Sequence, residues 1–263
     1  MKKTTFSALL LCLIVSCTTE TEDTIFFNSA ISDREVKLSN DEGSPICAVH
    51  LQLEYATDEN GHKAEVVNEC IIQKLLDMKE ITVQQATDSF ANTYTKTYVR
   101  NFLPLYNQDR ADTTKRSWYE YHYVITSQTQ PNRIGTTAYI AIIDYFEGGA
   151  RGVNQRMTMN FENKTGRLLE LQDIFVPGFE SRLTPILEQA LCEKFDVSNL
   201  SGLREKGYLR SMEMYPSSNY ILNDETIDFI YNPSEIASHE KGETELTISL
   251  STLQDILKPE FKQ

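Results

Sequence analysis

Carboxylates dominate the groups in this sequence that could do chemistry: 38 Asp and Glu stand against 25 Lys and Arg in 263 residues. Hydrolysis of a glycosidic bond needs two carboxyls at a set separation across a cleft, one as acid and one as base or nucleophile. Asp144 and Glu147, at the end of an apolar, aromatic run, are the pair that could serve. The histidines are His50, His62, His122 and His239, and no two lie one helical turn apart. Each is therefore expected to be structural or solvated rather than a metal ligand. Beyond Cys12 and Cys17 near the start, Cys47, Cys70 and Cys192 show neither a C-x-x-C nor a zinc-type spacing. Either Cys47 and Cys70 form a disulfide beside one free thiol, or all three are buried thiols. No G-x-S-x-G, P-loop or dinucleotide fingerprint occurs, and no cofactor or metal is expected.

The stretch "DYFEGGARGVN" at 144–154 sets Gly148, Gly149 and Gly152 close together just after that aromatic run. Glycine supplies positive backbone dihedrals and close approach. One reading is a sharp corner between two strands; the other is a loop rim where a partner docks on a rigid sheet. A phosphate cradle is excluded, because no helix start follows.

The elements that would position these groups can be read from periodicity. Residues 46–55 alternate, with Cys47, Val49, Leu51, Leu53 and Tyr55 on one face and His50, Gln52 and Glu54 on the other, which predicts a half-buried strand. Val67, Cys70, Ile71, Leu75 and Met78 share one face of a predicted helix. A second helix opens with a Thr82/Gln85 capping box and continues the stripe through Val83, Ala86, Phe90, Tyr94, Tyr98 and Phe102. Two long strands follow, one with Tyr119, Tyr121, Tyr123 and Ile125 on a face, the other, "TAYIAIIDYF", apolar on both faces and hence central. Beyond the glycines come a strand with Val153, Gln155, Met157, Met159 and Phe161 aligned, and a short strand at 167–175. A helix around Leu183–Phe195 follows, in which Pro185 either opens the helix or kinks it. Three further strands, "NYIL", "TIDFIYN" and "TELTISL", precede a closing helix capped by Ser251 and Gln254. The order is that of an α+β fold, as two small domains or one composite, with antiparallel sheets and helices packed on one face.

Residues 1–16 read as a signal peptide: Lys2 and Lys3, then "FSALLLCLIVS", too short to span a bilayer. "LIVSC" resembles a bacterial lipobox, which makes Cys17 the lipidation site and 17–24 an acidic tether. The expected place is the cell envelope, as a lipoprotein anchored in the outer membrane on its periplasmic or surface side. The tether also resembles the surface-export signal of Bacteroidetes lipoproteins. The formal net charge of -13 repels nucleic acid and would steer a basic protein toward the chain.

"FEGGARGVNQRMTMNFENKTGRLLELQDIF" and "IDFIYNPSEIASHEKGETELTISLSTL" together resemble the RsiV-like extracellular domain family. The pieces that carry the likeness are Gly148–Gly149, "NF" at 160–161, "TG" at 165–166, "LxLxDIF" from Leu169 to Phe175, and "YNPxEIA" at 231–237. Residues 25–147 resemble the PdaC/RsiV-type domain of unknown function that precedes it, which implies domains at 25–147 and 148–263. Where the family often has His after "GGA", this chain has Arg151. The resemblance implies a non-catalytic, lipid-anchored binding module, its partner a basic, lysozyme-like protein or a peptidoglycan fragment. The expected contact rim is Arg151, Tyr231, Asn232, Pro233, Glu235 and His239. The alternative is a cell-wall glycan hydrolase using Asp144 and Glu147.

Overall fold

A computed structural model describes residues 23–149 and 151–262. The expected signal peptide at 1–16, the lipid site Cys17 and most of the 17–24 tether lie outside the described residues. The fold is α+β, in two lobes. The large lobe is a six-stranded sheet of β1 (Phe27–Lys37), β2 (Ile46–Ala56), β3 (Tyr121–Pro131), β4 (Thr136–Glu147), β5 (Val153–Glu162) and β6 (Leu168–Leu169), adjacent in sequence order. Every pair is antiparallel except β2 with β3. That exception follows from α1 (His62–Leu76) and α2 (Val83–Asp109), which return the chain to the sheet's starting end before β3 begins. The small lobe holds α3 (Leu171–Ile174), α4 (Glu180–Lys194), α5 (Leu200–Glu205) and a second sheet of β7 (Tyr220–Leu222), β8 (Thr226–Tyr231) and β9 (Thr244–Ser249).

Both helices of the large lobe cover one face of its sheet. Strand alternation turns Cys47, Val49, Leu51 and Leu53 of β2 toward them, with Tyr139, Ala141 and Ile143 of β4 and Met159 and Phe161 of β5. Val67, Ile71 and Ile72 of α1 and Val83, Ala86 and Tyr98 of α2 close the same core. Each fully buried aliphatic or aromatic side chain there contributes about 1.5–3 kcal/mol. The predicted capping box of α2 is present: Gln85 N–H donates to Thr82 Oγ1 (3.2 Å) and Thr82 N–H to Gln85 Oε1 (3.0 Å). The aromatic stripe of α2 meets the strand tyrosines, with ring centroids 5.0 Å apart for Phe90–Tyr123, 5.2 Å for Tyr98–Tyr121 and 4.9 Å for Phe102–Tyr121. α2 runs on through Pro104, beyond the predicted stripe, to Asp109.

On the opposite face, Ala138 and Ile140 of β4 meet Ile221 of β7 and Ile230 of β8 in a small cluster that joins the lobes. This is why β4 is apolar on both faces. The small lobe has its own core, in which Leu183, Leu187 and Leu191 of α4 pack with Leu222, Ile227, Phe229 and Leu246.

Two expectations are corrected, and two alternatives are narrowed. The sheet continues unbroken across 147/148, because β4 and β5 form one hairpin, and the large lobe's core still includes Met159 and Phe161. The segment 250–257 is a chain of turns, not a capped helix: Gln254 Nε2 donates back to the Leu250 carbonyl (3.2 Å) and Ser251 N–H to Ser249 Oγ (3.3 Å). Pro185 does not open α4, which begins at Glu180. Cys47, Cys70 and Cys192 are all free thiols; Cys47 and Cys192 are buried and Cys70 is half-buried. Burial, with Glu147 adding to it, pushes the Cys47 thiol up to about 12.

Candidate functional site

The paired-glycine corner is built by steric necessity. Gly148 and Gly149 have φ of 75° and 89°, and a Cβ on Gly148 would lie 2.3 Å from the Trp118 carbonyl oxygen. Only glycine lets β4 leave the sheet there. Arg151, just past the corner, is exposed and reaches across to the small lobe, its Nη2 3.0 Å from Glu240 Oε1. Both partners are open to water, so the pair adds little stability.

The proposed carboxylate pair is not a pair. Residues three apart on one strand point to opposite faces, and the partners show it. Glu147 accepts from the Tyr94 hydroxyl of α2 (2.7 Å) on the helix-covered face. Asp144 faces the other side, with Asn154 Nδ2 at 3.1 Å and His122 Nε2 at 2.8 Å. The Asn154 amide, then the imidazole, hold the Asp144 carboxyl below its ordinary range despite some desolvation. No substrate can be flanked by two groups with the sheet between them. His50 lies on the same open face as His122, its Nδ1 2.5 Å from Asp33 Oδ1. His62 opens α1, with Nδ1 2.9 Å from Glu65 Oε2.

What the lobes do create is a groove of about 590 Å³ along the outer edge of β5. Its floor is apolar, from Met157, Met159, Leu168 and Phe179; Gln155, Gln172 and Asn219 add amides; Glu170, Glu180 and Glu235 place carboxylates on its walls. β6 pairs with β5 only at Asn160 and Phe161, which leaves the middle of β5 without a strand neighbour on the side away from β4. Two side chains take the place of one. Asn219 accepts from the Thr158 N–H (2.9 Å) and donates to the Arg156 carbonyl (2.7 Å). Asn232 accepts from the Arg156 N–H (2.8 Å) and donates to the same carbonyl (3.1 Å). The edge is thus satisfied without a strand, and the space beside it stays open. The Arg156 guanidinium is neutralised by Glu243 and Glu245, with Nη2 2.5 Å from Glu243 Oε1 and Nε 3.0 Å from Glu243 Oε2.

The expected contact rim is brought together only in part. Glu235 and Asn232 line the groove, although the Asn232 amide is already committed to β5. Pro233 is half-buried beside them. His239 is half-buried at the start of a 3-10 turn (His239–Lys241), next to the Arg151–Glu240 pair. Tyr231 is not on a rim: it is fully buried, its ring 5.6 Å from that of Tyr215 and its hydroxyl donating to the Tyr215 carbonyl (2.7 Å). Gln155, Met157 and Asn219 were not expected in a site. The one sequence signal for the first two is their shared face in the 153–161 alternation.

Residues 172–251 match the model of a family described as "Protein of unknown function (DUF3298)". No curated protein matches the chain. A crystal structure of a member of the DUF3298 family from Bacteroides fragilis is similar, with a TM-score of 0.81, 22% identity, and 89% of this chain and 94% of that one covered. A DUF3298 family protein from Pseudomonas aeruginosa superposes with a TM-score of 0.63 at 17% identity, covering 92% of this chain and 98% of that one. The likeness to these structures is one of fold, and the part of the chain that the family model matches is similar to a domain family whose function is unknown.

Proposed function

We propose that the mature chain is a non-catalytic, lipid-anchored binding module of the cell envelope, held through Cys17 on the periplasmic or surface side of the outer membrane, with its partner in the inter-lobe groove. The observation that carries this reading is the groove itself. Its volume of about 590 Å³ falls within the range of ligand sites, roughly 300–1,000 Å³, and it combines an apolar floor with a few fixed polar groups. Glu170, Glu180 and Glu235 outnumber Lys74 in its lining, and the other lining cation, Arg156, is spent on Glu243 and Glu245, so the groove is acidic on balance. A projecting loop of a basic, lysozyme-like protein fits that charge and the RsiV-like resemblance. The amides of Gln155 and Gln172 favour a second reading, in which the occupant is a peptidoglycan fragment.

Calorimetry of the purified chain against a basic lysozyme and against muropeptides, at low and moderate salt, tests both. Heat with lysozyme that fades with salt and falls about tenfold in affinity in Glu235→Ala supports the first reading. Salt-insensitive muropeptide binding weakened by Gln155→Ala supports the second. Silence with both partners removes the proposal, and new reducing ends released from the muropeptides would overturn its non-catalytic part. Loss of fatty-acid labelling in Cys17→Ala checks the anchor.

A further inference from the structure

A second cleft, of about 450 Å³, lies in the small lobe between the loop that follows α5 and the loop that follows β8. Its two walls are joined by main chain: Leu209 N–H donates to the Ile236 carbonyl (2.8 Å), and Tyr208 and Ala237 form an isolated bridge. Cations converge on it. Lys206, Arg210 and Lys241 all line it, on a chain whose net charge is -13. Their carboxylate neighbours in the lining are Glu205 and Glu235. Among the described residues, no ion pair uses any of the three cations.

Their positions suit a shared ligand. Gly207 has φ of 96°, and the place where its Cβ would stand is 3.6 Å from Lys241 Cε and 3.8 Å from Arg210 Nη2. The two cationic side chains therefore meet over a residue that leaves the space between them empty. Arg210 is braced through Nε, which donates to the Arg204 carbonyl (3.3 Å), while Arg204 Nε donates to the Leu209 carbonyl (3.4 Å). Bracing through Nε leaves the Arg210 Nη groups free. Lys206 is tied by Nζ to the Phe195 carbonyl at 2.5 Å. Ser211, Ser234 and Ser238 supply hydroxyls around the same space.

We infer that this cleft binds a phosphoryl group, with the Arg210 fork and the Lys241 ammonium as its main contacts. A planar guanidinium presents paired donors that match phosphate oxygens, and an ammonium adds a point charge. In so acidic a molecule, like charge elsewhere disfavours an anion, so an unpaired basic cleft is where one would settle. The chemistry is the same for a soluble phosphate ester and for an anionic lipid headgroup.

The test titrates the purified chain with glycerol phosphate and with vesicles of phosphatidylglycerol or phosphatidylcholine. The Arg210→Ala/Lys241→Ala double variant is compared with Lys37→Ala/Lys79→Ala, which removes the same charge at two exposed residues far from the cleft in sequence. Saturable binding of glycerol phosphate, weakened at least tenfold in the first variant and less than twofold in the second, is expected if the source is soluble. Binding to phosphatidylglycerol vesicles alone, with the same dependence on the two variants, assigns the headgroup. Equal weakening in both variants, or no saturable binding to either probe, overturns the inference. If the double variant does not fold, Lys241→Glu, at an exposed side chain, must still abolish binding.

Discussion

The two lobes order their chains by different means. In the large lobe, long strands alternate apolar and polar residues, and two helices cover one face, so the core follows from a repeating pattern. In the small lobe, α5, two loops and the turns at 250–257 contribute to the core, with Leu203, Leu209, Ile236, Leu253 and Ile256 all buried. Where the lobes meet, neither means applies: asparagine side chains replace a strand along β5. The difference teaches that the irregular lobe is not loosely attached. The seam is hydrogen-bonded to the β5 backbone at Arg156 and Thr158 and is backed by Ala138, Ile140, Ile221 and Ile230.

Truncating one core aromatic in each lobe would give the largest effect. Phe161→Ala in the large lobe and Phe229→Ala in the small lobe should each cost about 3–5 kcal/mol, as both are fully buried. If the seam couples the lobes, each variant shifts a single urea transition followed by circular dichroism; two separated transitions in Phe229→Ala would show the lobes to be independent.

Asn219→Ala comes next, at about 2 kcal/mol, since it removes an acceptor from both the Thr158 N–H and the Thr158 hydroxyl. Asn232→Ala strands only the Arg156 N–H and should cost about 1 kcal/mol. Each single variant leaves the Arg156 carbonyl one donor, whereas the double variant leaves it none. The double cost should therefore exceed the sum of the singles, and simple additivity in a denaturation cycle would mean that the two amides do not act as one seam.

The smallest effect belongs to the open face of the large sheet. Asp144 has its folded pKa lowered, first by Asn154 and then by His122. The stability this gives is present above the unfolded carboxyl value, about 3.9, and is lost as pH falls through the folded one. The side chain is nearly half exposed, so solvent screening limits the gain to a few tenths of a kcal/mol. Asp144→Asn should therefore lower stability by that amount at neutral pH, flatten the profile below about pH 4, and leave stability at the acid end unchanged.

Legibility in the sequence follows the same division. The strand at 46–56, the central β4, the capped α2 and the three strands of the small sheet were all readable, because burial imposed a period on their residues. β1 was not: it is an edge strand in which only Ala30 and Ser32 are buried, too short and polar a set to produce alternation. The parallel pairing of β2 with β3 depends on the two helices between them, a long-range fact. The site was less legible still. Asn219 and Asn232 stand at the outer ends of two predicted strands, and nothing in that position shows that their amides work against a strand more than sixty residues earlier. Tyr231 sits in a motif that suggests a loop, yet it is the last residue of β8 and points inward. Only the separation of Asp144 from Glu147 was implicit all along, in a spacing of three on a two-residue repeat.

The close approach at Gly148 involves the carbonyl of Trp118, the chain's one tryptophan. The residue is 55% exposed, with the Lys115 ammonium 5.7 Å from the ring centre. The molecule therefore carries its own optical label at the hairpin end nearest the Arg151 bridge. Anything that settles there and displaces water from the indole will change its emission colour, with no dye attached.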